Sequence, residues 1–329
     1  MWLVVTQEFR IRLRTGRWRW LLGAWLALLA LFTLLLDLGL RAGFSSVPDD
    51  SLRGIPLFGF LMFFVLGSML VISPALTAQT INGDRERDTL ATLQVTMLRP
   101  AEIALGKLFA SWSVGLVALA LSVPFTGYAM VQGGVGVVRA VAVYGVVALL
   151  IGTVCAVSQA LSASLARSIT SALLSYVVTT TLAVGTLIVF VLALPLTEKP
   201  RTVTTWDGYQ YTVSESHPEQ VWWLLAPNPF VILADAAPRV PSCVVPSGQV
   251  SYIDNYDPLS MIGNDIRKLR TPDYWFVYVP DSSLPKPEDK PVWPYGLGLS
   301  VLLGAASLAV TIWRLHTPTD RLPRGVRVA

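Results

Sequence analysis

Charge is scarce in this sequence: of 329 residues only 14% are Asp, Glu, Lys or Arg, while 53% are apolar. A water-soluble domain of this length would struggle to stay dispersed on so few charges, so lipid is the expected solvent for most of the chain. Cysteine is almost missing. Cys155 lies inside a long apolar run and Cys243 in a polar stretch, which leaves no disulfide framework and no cysteine-based metal site. Histidine is equally rare; His217 and His316 fall outside the apolar runs, where an isolated His is ordinarily a surface residue.

Two further absences exclude activities. No G-x-x-x-x-G-K-[ST] loop is present: Gly106-Lys107 is followed by Leu108, and no glycine stands at the required distance before it. Nothing in the chain therefore cradles a nucleotide phosphate. The long apolar runs also hold essentially no carboxylate, histidine or basic residue, with Asp37 just past the end of the first and Arg139 at the very start of the fourth. An ion-driven carrier needs such ligands within its spans. A membrane hydrolase would need a nucleophile beside a base, and a metalloprotease an H-E-x-x-H pair; neither is there.

What is there is apolar length. A helix crosses a bilayer with roughly 20 apolar residues, because hydrocarbon offers no partner for exposed backbone groups. Six stretches qualify, from about Trp20 to Leu36, Ile55 to Ala75, Leu108 to Tyr128, Val137 to Ala160, Ala172 to Leu194 and Val292 to Trp313. The first follows arginines as a secretory signal does, but its run exceeds a signal's ~7 to 15 residues and no A-x-A site follows, so it reads as a retained anchor. A seventh candidate, Val221 to Ala237, contains Pro227, Asn228, Pro229 and Asp235. Two prolines around an asparagine break the hydrogen-bond ladder, and a re-entrant or interfacial hairpin is expected there instead.

The basic residues sort by side. Arg10, Arg12, Arg14, Arg17 and Arg19 precede span one; Arg85, Arg87, Arg99 and Lys107 lie between spans two and three; Arg167 lies between four and five. Arg314, Arg321, Arg324 and Arg327 follow span six, whereas the opposite short segments hold only Arg41, Arg53 and Arg139. Short basic loops stay cytoplasmic, so both termini are expected inside and the long segment 195–291 outside.

The expected organisation follows. Residues 1–19 form a basic amphipathic elbow helix on the inner membrane face. Residues 20–194 hold spans one to five, 195–291 an extracytoplasmic segment with the apolar hairpin near 221–237, 292–313 span six, and 314–329 a cytoplasmic tail. In span four, Ala148, Gly152, Ala156, Ala160 and Ser164 recur every fourth residue, a smooth ridge that reads as a helix-packing surface. In the external segment, TWDGYQYTV and YWFVYV alternate like short strands of a small β-rich cap, with Asp207-Gly208 as a turn signal, but the frequent prolines fit an irregular loop packed against helix ends equally well.

Between spans two and three, Asn82-Gly83 breaks the helix and the charged cluster Asp84-Arg85-Glu86-Arg87-Asp88 requires solvent. After it Leu90, Leu93 and Met97 recur at helical spacing, giving a short helix with one apolar face that ends before Pro100. A charged run at a membrane boundary is often just a solvated topology signal; the apolar face beside this one asks for something to pack on.

The segment Ile81 to Ala110, INGDRERDTLATLQVTMLRPAEIALGKLFA, resembles the signature of ABC exporter permeases of the ABC-2 type. Gly83, Arg85, Glu86, Thr89, Leu90, Leu93, Pro100, Glu102, Ile103, Gly106, Lys107 and Leu108 stand where that pattern wants them. The opening TQEFRIRLRTGRWRW is similar to the elbow of these permeases, and LLAPNPFVILADAAP resembles their apolar segment before the last span. Asp84 and Asp88 depart from the usual glutamate and glycine, and the external segment is longer than the family's typical loop.

The resemblance implies an all-α polytopic membrane protein with the six helices of the ABC-2 type exporter fold and an enlarged external segment between helices five and six. It implies a coupling helix over 82–99 that docks on a separate ABC ATPase (nucleotide-binding) subunit, through Asp84, Arg85, Glu86, Arg87, Asp88, Thr89, Leu90 and Leu93. A second copy or a sibling permease would complete a translocation path lined by Phe60, Phe63, Phe64 and Ser68 of span two and Tyr176, Thr179 and Thr180 of span five. Pro227, Asn228, Pro229 and Phe230 would form an external gate.

No cofactor is expected in this chain; ATP and Mg belong to the ATPase. No nucleic-acid partner is expected, and membrane lipids surround the whole. The cargo would be lipophilic or amphipathic, exported across a bacterial plasma membrane, and the chain itself would not be an enzyme. A non-transport scaffold with an external partner-binding domain and a secondary carrier are the alternatives.

Overall fold

The computed structural model describes residues 17–43, 53–86, 99–204, 209–239, 243–244, 250–251, 257–270 and 290–316. Among these are six helices long and apolar enough to cross a membrane: Trp20–Ala42, Gly54–Arg85, Pro100–Val131, Val137–Ser164, Ser168–Thr197 and Trp293–His316. The chain is therefore a multi-pass, predominantly helical membrane protein. Residues 1–16 of the elbow expected over 1–19, the tail beyond His316 and the YWFVYV run lie outside the described residues, and 17–19 already belong to the helix of the first span.

The chain divides into two compact units, Met1–Thr179 with Ser300–Ala329, and Thr180–Leu299. The first unit is built around α2 (Gly54–Thr77). Its span is the most buried of the six, at 61% of the apolar window against 22% for the first span, in α1 (Arg17–Gly43). The fifth and sixth spans bury only 17%; their Val, Leu and Ile side chains point outward, as helices do when lipid is the solvent.

The third span begins earlier than the apolar run does. Pro100 opens α4 (Pro100–Ala120) at its first turn, where its missing N–H costs no hydrogen bond, and Glu102 Oε2 accepts from the Arg99 N–H at 3.0 Å. Proline plus a reciprocal acidic cap is a helix-start signal. Lys107 thus lies inside the helix rather than in the loop before it, a correction to the expected span boundary.

The span continues, after a break at Leu121-Ser122, as α5 (Val123–Val131). The Ser122 amide there turns to Leu119 O, and the Ala118 carbonyl instead accepts from Trp25 Nε1 of α1 at 2.9 Å. Ser122 Oγ and Thr126 Oγ1 lie 2.8 and 2.9 Å from Tyr144 Oη of α6 (Val137–Ser164). Every polar group freed at a break in hydrocarbon needs such a partner.

The small ridge of α6 is a packing surface, as the sequence suggested. Gly152 gives room to the Trp112 indole of α4, whose Nε1 donates to Ala148 O at 2.8 Å. A Cβ on Gly115 would lie 2.7 Å from Ile151. Gly54 is more constrained, since a Cβ there would meet Ala129 O at 2.1 Å and Gly133 O at 2.3 Å. At the same end of the unit, Asp37 pairs with Arg41 at 2.9 Å and accepts from Tyr128 Oη at 3.2 Å.

The second unit begins within the fifth span. After α7 (Ser168–Thr180) the helix makes a π turn over Thr181–Gly185 and resumes as α8 (Thr186–Ala193). Strands β1 (Lys199–Thr204) and β2 (Gln210–Glu215) pair antiparallel with Thr204 opposite Gln210; the Asp207-Gly208 turn signal lies outside the described residues. A two-residue pair, β3 (Cys243–Val244) with β4 (Val250–Ser251), follows.

The 221–237 stretch is no seventh span. It is a 3₁₀ turn at Trp222–Leu224 followed by α9 (Pro229–Ala236), and eight helical residues reach only about 12 Å of a ~30 Å core. Its apolar residues, Leu225, Ala226 and Val231, pack with Ile266 of α10 (Pro258–Lys268), Val292 and Phe190. The last span, α11 (Trp293–His316), is the last element among the described residues.

Candidate functional site: a tethered turn between spans two and three

The turn that joins α2 to the charged cluster is held by side chains from three other helices. After Thr77 the chain passes through residues 78–81 into α3 (Asn82–Glu86). Lys107 of α4 donates from Nζ to Thr80 O at 3.0 Å and pairs with the Asp84 carboxylate. The lysine side chain is 2% exposed and the aspartate 20%. Ser162 Oγ of α6 accepts from the N–H groups of Ile81 and Asn82 at 3.2 and 3.1 Å. Ser171 Oγ of α7 donates to Ala78 O at 3.0 Å.

Each bond answers a need created by the local fold. A turn at the end of a membrane helix exposes carbonyls and amides that α-helical geometry no longer satisfies, and in a low-dielectric surrounding each unsatisfied group is costly. Lys107 shows the same economy. Its position is within a span, yet its ammonium is drawn to the end of the unit, where a carbonyl and a carboxylate receive it.

Apolar contacts complete the anchor. Ile81 is sealed in a cluster with Ile103, Ala104, Ala163 and Leu315, which joins the turn to α4, α6 and the end of α11. Gln159 Nε2 donates to Ala104 O at 2.8 Å across the α4–α6 seam.

Arg85 completes the described part of the cluster. Its Nη1 donates to Asn82 Oδ1 at 3.1 Å and to Leu165 O at 3.3 Å. Glu86 is the last described residue of α3; Arg87, Asp88, Thr89, Leu90 and Leu93 lie outside the described residues.

No family model matches this chain. Nor does any curated protein. The site therefore has to be read from its own geometry.

The two sets of residues expected to line a path are arranged differently from each other. Phe64 stacks on Phe32 with ring centroids 4.0 Å apart and on Trp25 at 6.4 Å, so its ring belongs to the contact with the first span. Phe60 is exposed, and Phe63, Ser68 and Tyr176 are half-buried. Thr179 is buried with its hydroxyl donated back to Ser175 O at 2.9 Å, and Thr180 is exposed.

The four residues expected to form an external gate belong to one structure in the second unit. Asn228 is fully buried and caps α9: its Oδ1 accepts from the N–H groups of Phe230 at 2.9 Å and Val231 at 3.3 Å, with Pro229 at the first helical position. Pro227 and Phe230 are half-buried beside it. Asp235, at the other end of α9, accepts from the N–H groups of Val292 and Trp293, both at 2.6 Å, and pairs with Arg267. It thereby caps the start of the last span.

Sequence reasoning missed Ser162, Ser171 and the inward role of Lys107. The one signal for Lys107 was its spacing: Ile103, Ala104, Lys107 and Ser111 share a helix face, and all are buried.

Proposed function

We propose that this chain is the membrane-spanning permease of an ABC exporter of the ABC-2 type. In this reading it moves a lipophilic or amphipathic cargo outward across a bacterial plasma membrane, with both termini cytoplasmic. A separate ATPase subunit binds and hydrolyses ATP with Mg, and a second permease copy or a sibling completes the path.

The observation that supports it is the tethering of the 77–86 turn. A segment that receives a push from an ATPase must be stiffly joined to the helices it is to move, because a loose loop dissipates displacement. Here the DRERD cluster emerges from a turn fixed to α4 by Lys107, to α6 by Ser162 and to α7 by Ser171. A displacement of α3 would reach three spans through these contacts, and alternating access would follow as their rearrangement.

The test is affinity capture of the tagged chain from its native membrane in mild detergent, with identification of bound proteins and an ATPase assay. A P-loop ATPase that co-purifies, and is lost when Arg85 to Asp88 are replaced by alanine, is the expected result. Reversal of charge at Glu86 and Arg87 should abolish stimulation of that ATPase while membrane insertion is retained. A chain recovered alone and without ATPase activity would overturn the reading in favour of a scaffold.

A carrier has one observation in its favour, the buried Lys107–Asp84 pair in a span. Cargo movement that persists without ATP and collapses with the ion gradient would establish it.

A further inference from the structure

We propose that Asn228 is a latch that holds the fifth span in its π register, and that its release lets the span take the regular α register. In the π turn the Thr186 amide reaches back to Thr181 O rather than to Leu182 O. The hydrogen-bond ladder is offset by one residue, so one carbonyl of the turn must find its donor outside the backbone.

Two side chains supply donors there. The Thr186 hydroxyl donates to Leu182 O at 3.0 Å, and Asn228 Nδ2 donates to Ala183 O at 2.8 Å while lying 2.8 Å from Thr186 Oγ1. Asn228 is fully buried, and its amide oxygen is committed to the α9 cap while its amide nitrogen donates to the span. One side chain therefore serves both the start of α9 and the irregular turn of the span.

Nothing in the sequence of the span forces the irregularity. No proline occurs from Ser168 to Ala193, and a proline is the usual local cause of a broken ladder. The π turn survives because the Thr186 hydroxyl meets the skipped Leu182 carbonyl and Asn228 holds that hydroxyl in place, donating to it and to Ala183 O. Without that donor the α register recovers a backbone bond, and the residues after Gly185 change helical phase by about 100°, one residue's rotation. The latch thus gives the span two registers, π with Asn228 engaged and α with it released, an element of the kind from which conformational switches are made. The latch is a property of the chain's own fold and is independent of the exporter reading.

The test uses the full chain in lipid nanodiscs and two changes. Asn228→Ser keeps a cap acceptor for α9 but is too short to reach Ala183 O. Deletion of Val184, an exposed residue, removes the extra residue of the π turn. In the full chain Asn228→Ser should raise hydrogen exchange at the Leu187 and Ile188 amides by about tenfold, the effect of one lost buried hydrogen bond, and leave Phe230 and Val231 unchanged. It should also lower the unfolding midpoint, and in the chain lacking Val184 the same substitution should have no effect on that midpoint. Equal losses in both backgrounds would overturn the proposal and leave Asn228 a helix cap alone. Should the deletion fail to fold, unchanged exchange at Leu187 and Ile188 overturns it instead.

Discussion

Lys107 and Asp84 are joined across the gap between the second and third spans, with the lysine side chain sealed from solvent and its ammonium also donating to Thr80 O. Breaking a buried pair from one side is expensive, because the remaining charge keeps its desolvation cost and loses its partner. Lys107→Met should therefore destabilise the protein by about 3 kcal/mol, whereas the double change with Asp84→Asn should lose much less. Thermal unfolding of the four chains in nanodiscs, as a double-mutant cycle, checks this; additive losses would show that the pair is not coupled.

Ser162 serves two amides at once. Ser162→Ala leaves both without an acceptor at the head of α3, at a cost of about 1 to 3 kcal/mol for each group left unsatisfied. Faster hydrogen exchange at Ile81 and Asn82 is the expected readout, and on the exporter reading weaker ATPase stimulation should accompany it.

Asp235 both pairs with Arg267 and caps the last span. Asp235→Ala should cost about 3 kcal/mol or more, since it strands a partly buried guanidinium and removes a cap. Arg267→Met should cost less than Asp235→Ala, because the cap on Val292 and Trp293 is retained. The order of the two unfolding midpoints decides the matter.

Gly54 admits no side chain, with carbonyl oxygens of Ala129 and Gly133 closer than any Cβ tolerates. Gly133 and Gly134 have φ of 97° and 81°, so the opposing turn is itself fixed by backbone that disfavours side chains. Gly54→Ala should sharply reduce the yield of folded protein, whereas Gly23→Ala, in open space, should leave it unchanged. Size-exclusion profiles of the two variants make the comparison.

The sequence by itself determined the number of spans and their approximate places. Hydrocarbon requires about 20 consecutive apolar residues per helix, and no packing detail enters that requirement. It also argued, through Pro227 and Pro229, that Val221 to Ala237 does not cross. These are local signals, legible because backbone chemistry alone carries them.

Only the tertiary structure decided where the polar groups go. The span boundary at Pro100 was hidden by the charges of Glu102 and Lys107, which read as loop until Asp84 and Thr80 stand opposite the lysine. Asn228 read as a breaker; its second role depends on Ala183 and Thr186, distant in sequence, whose carbonyl and hydroxyl take its amide hydrogens. Serines such as Ser162 and Ser171 look like neutral small residues of a ridge until a turn from another helix brings them backbone amides or a carbonyl. A hydrogen bond needs both partners in place, and in this chain one partner of each such pair is supplied by a helix far away in the sequence.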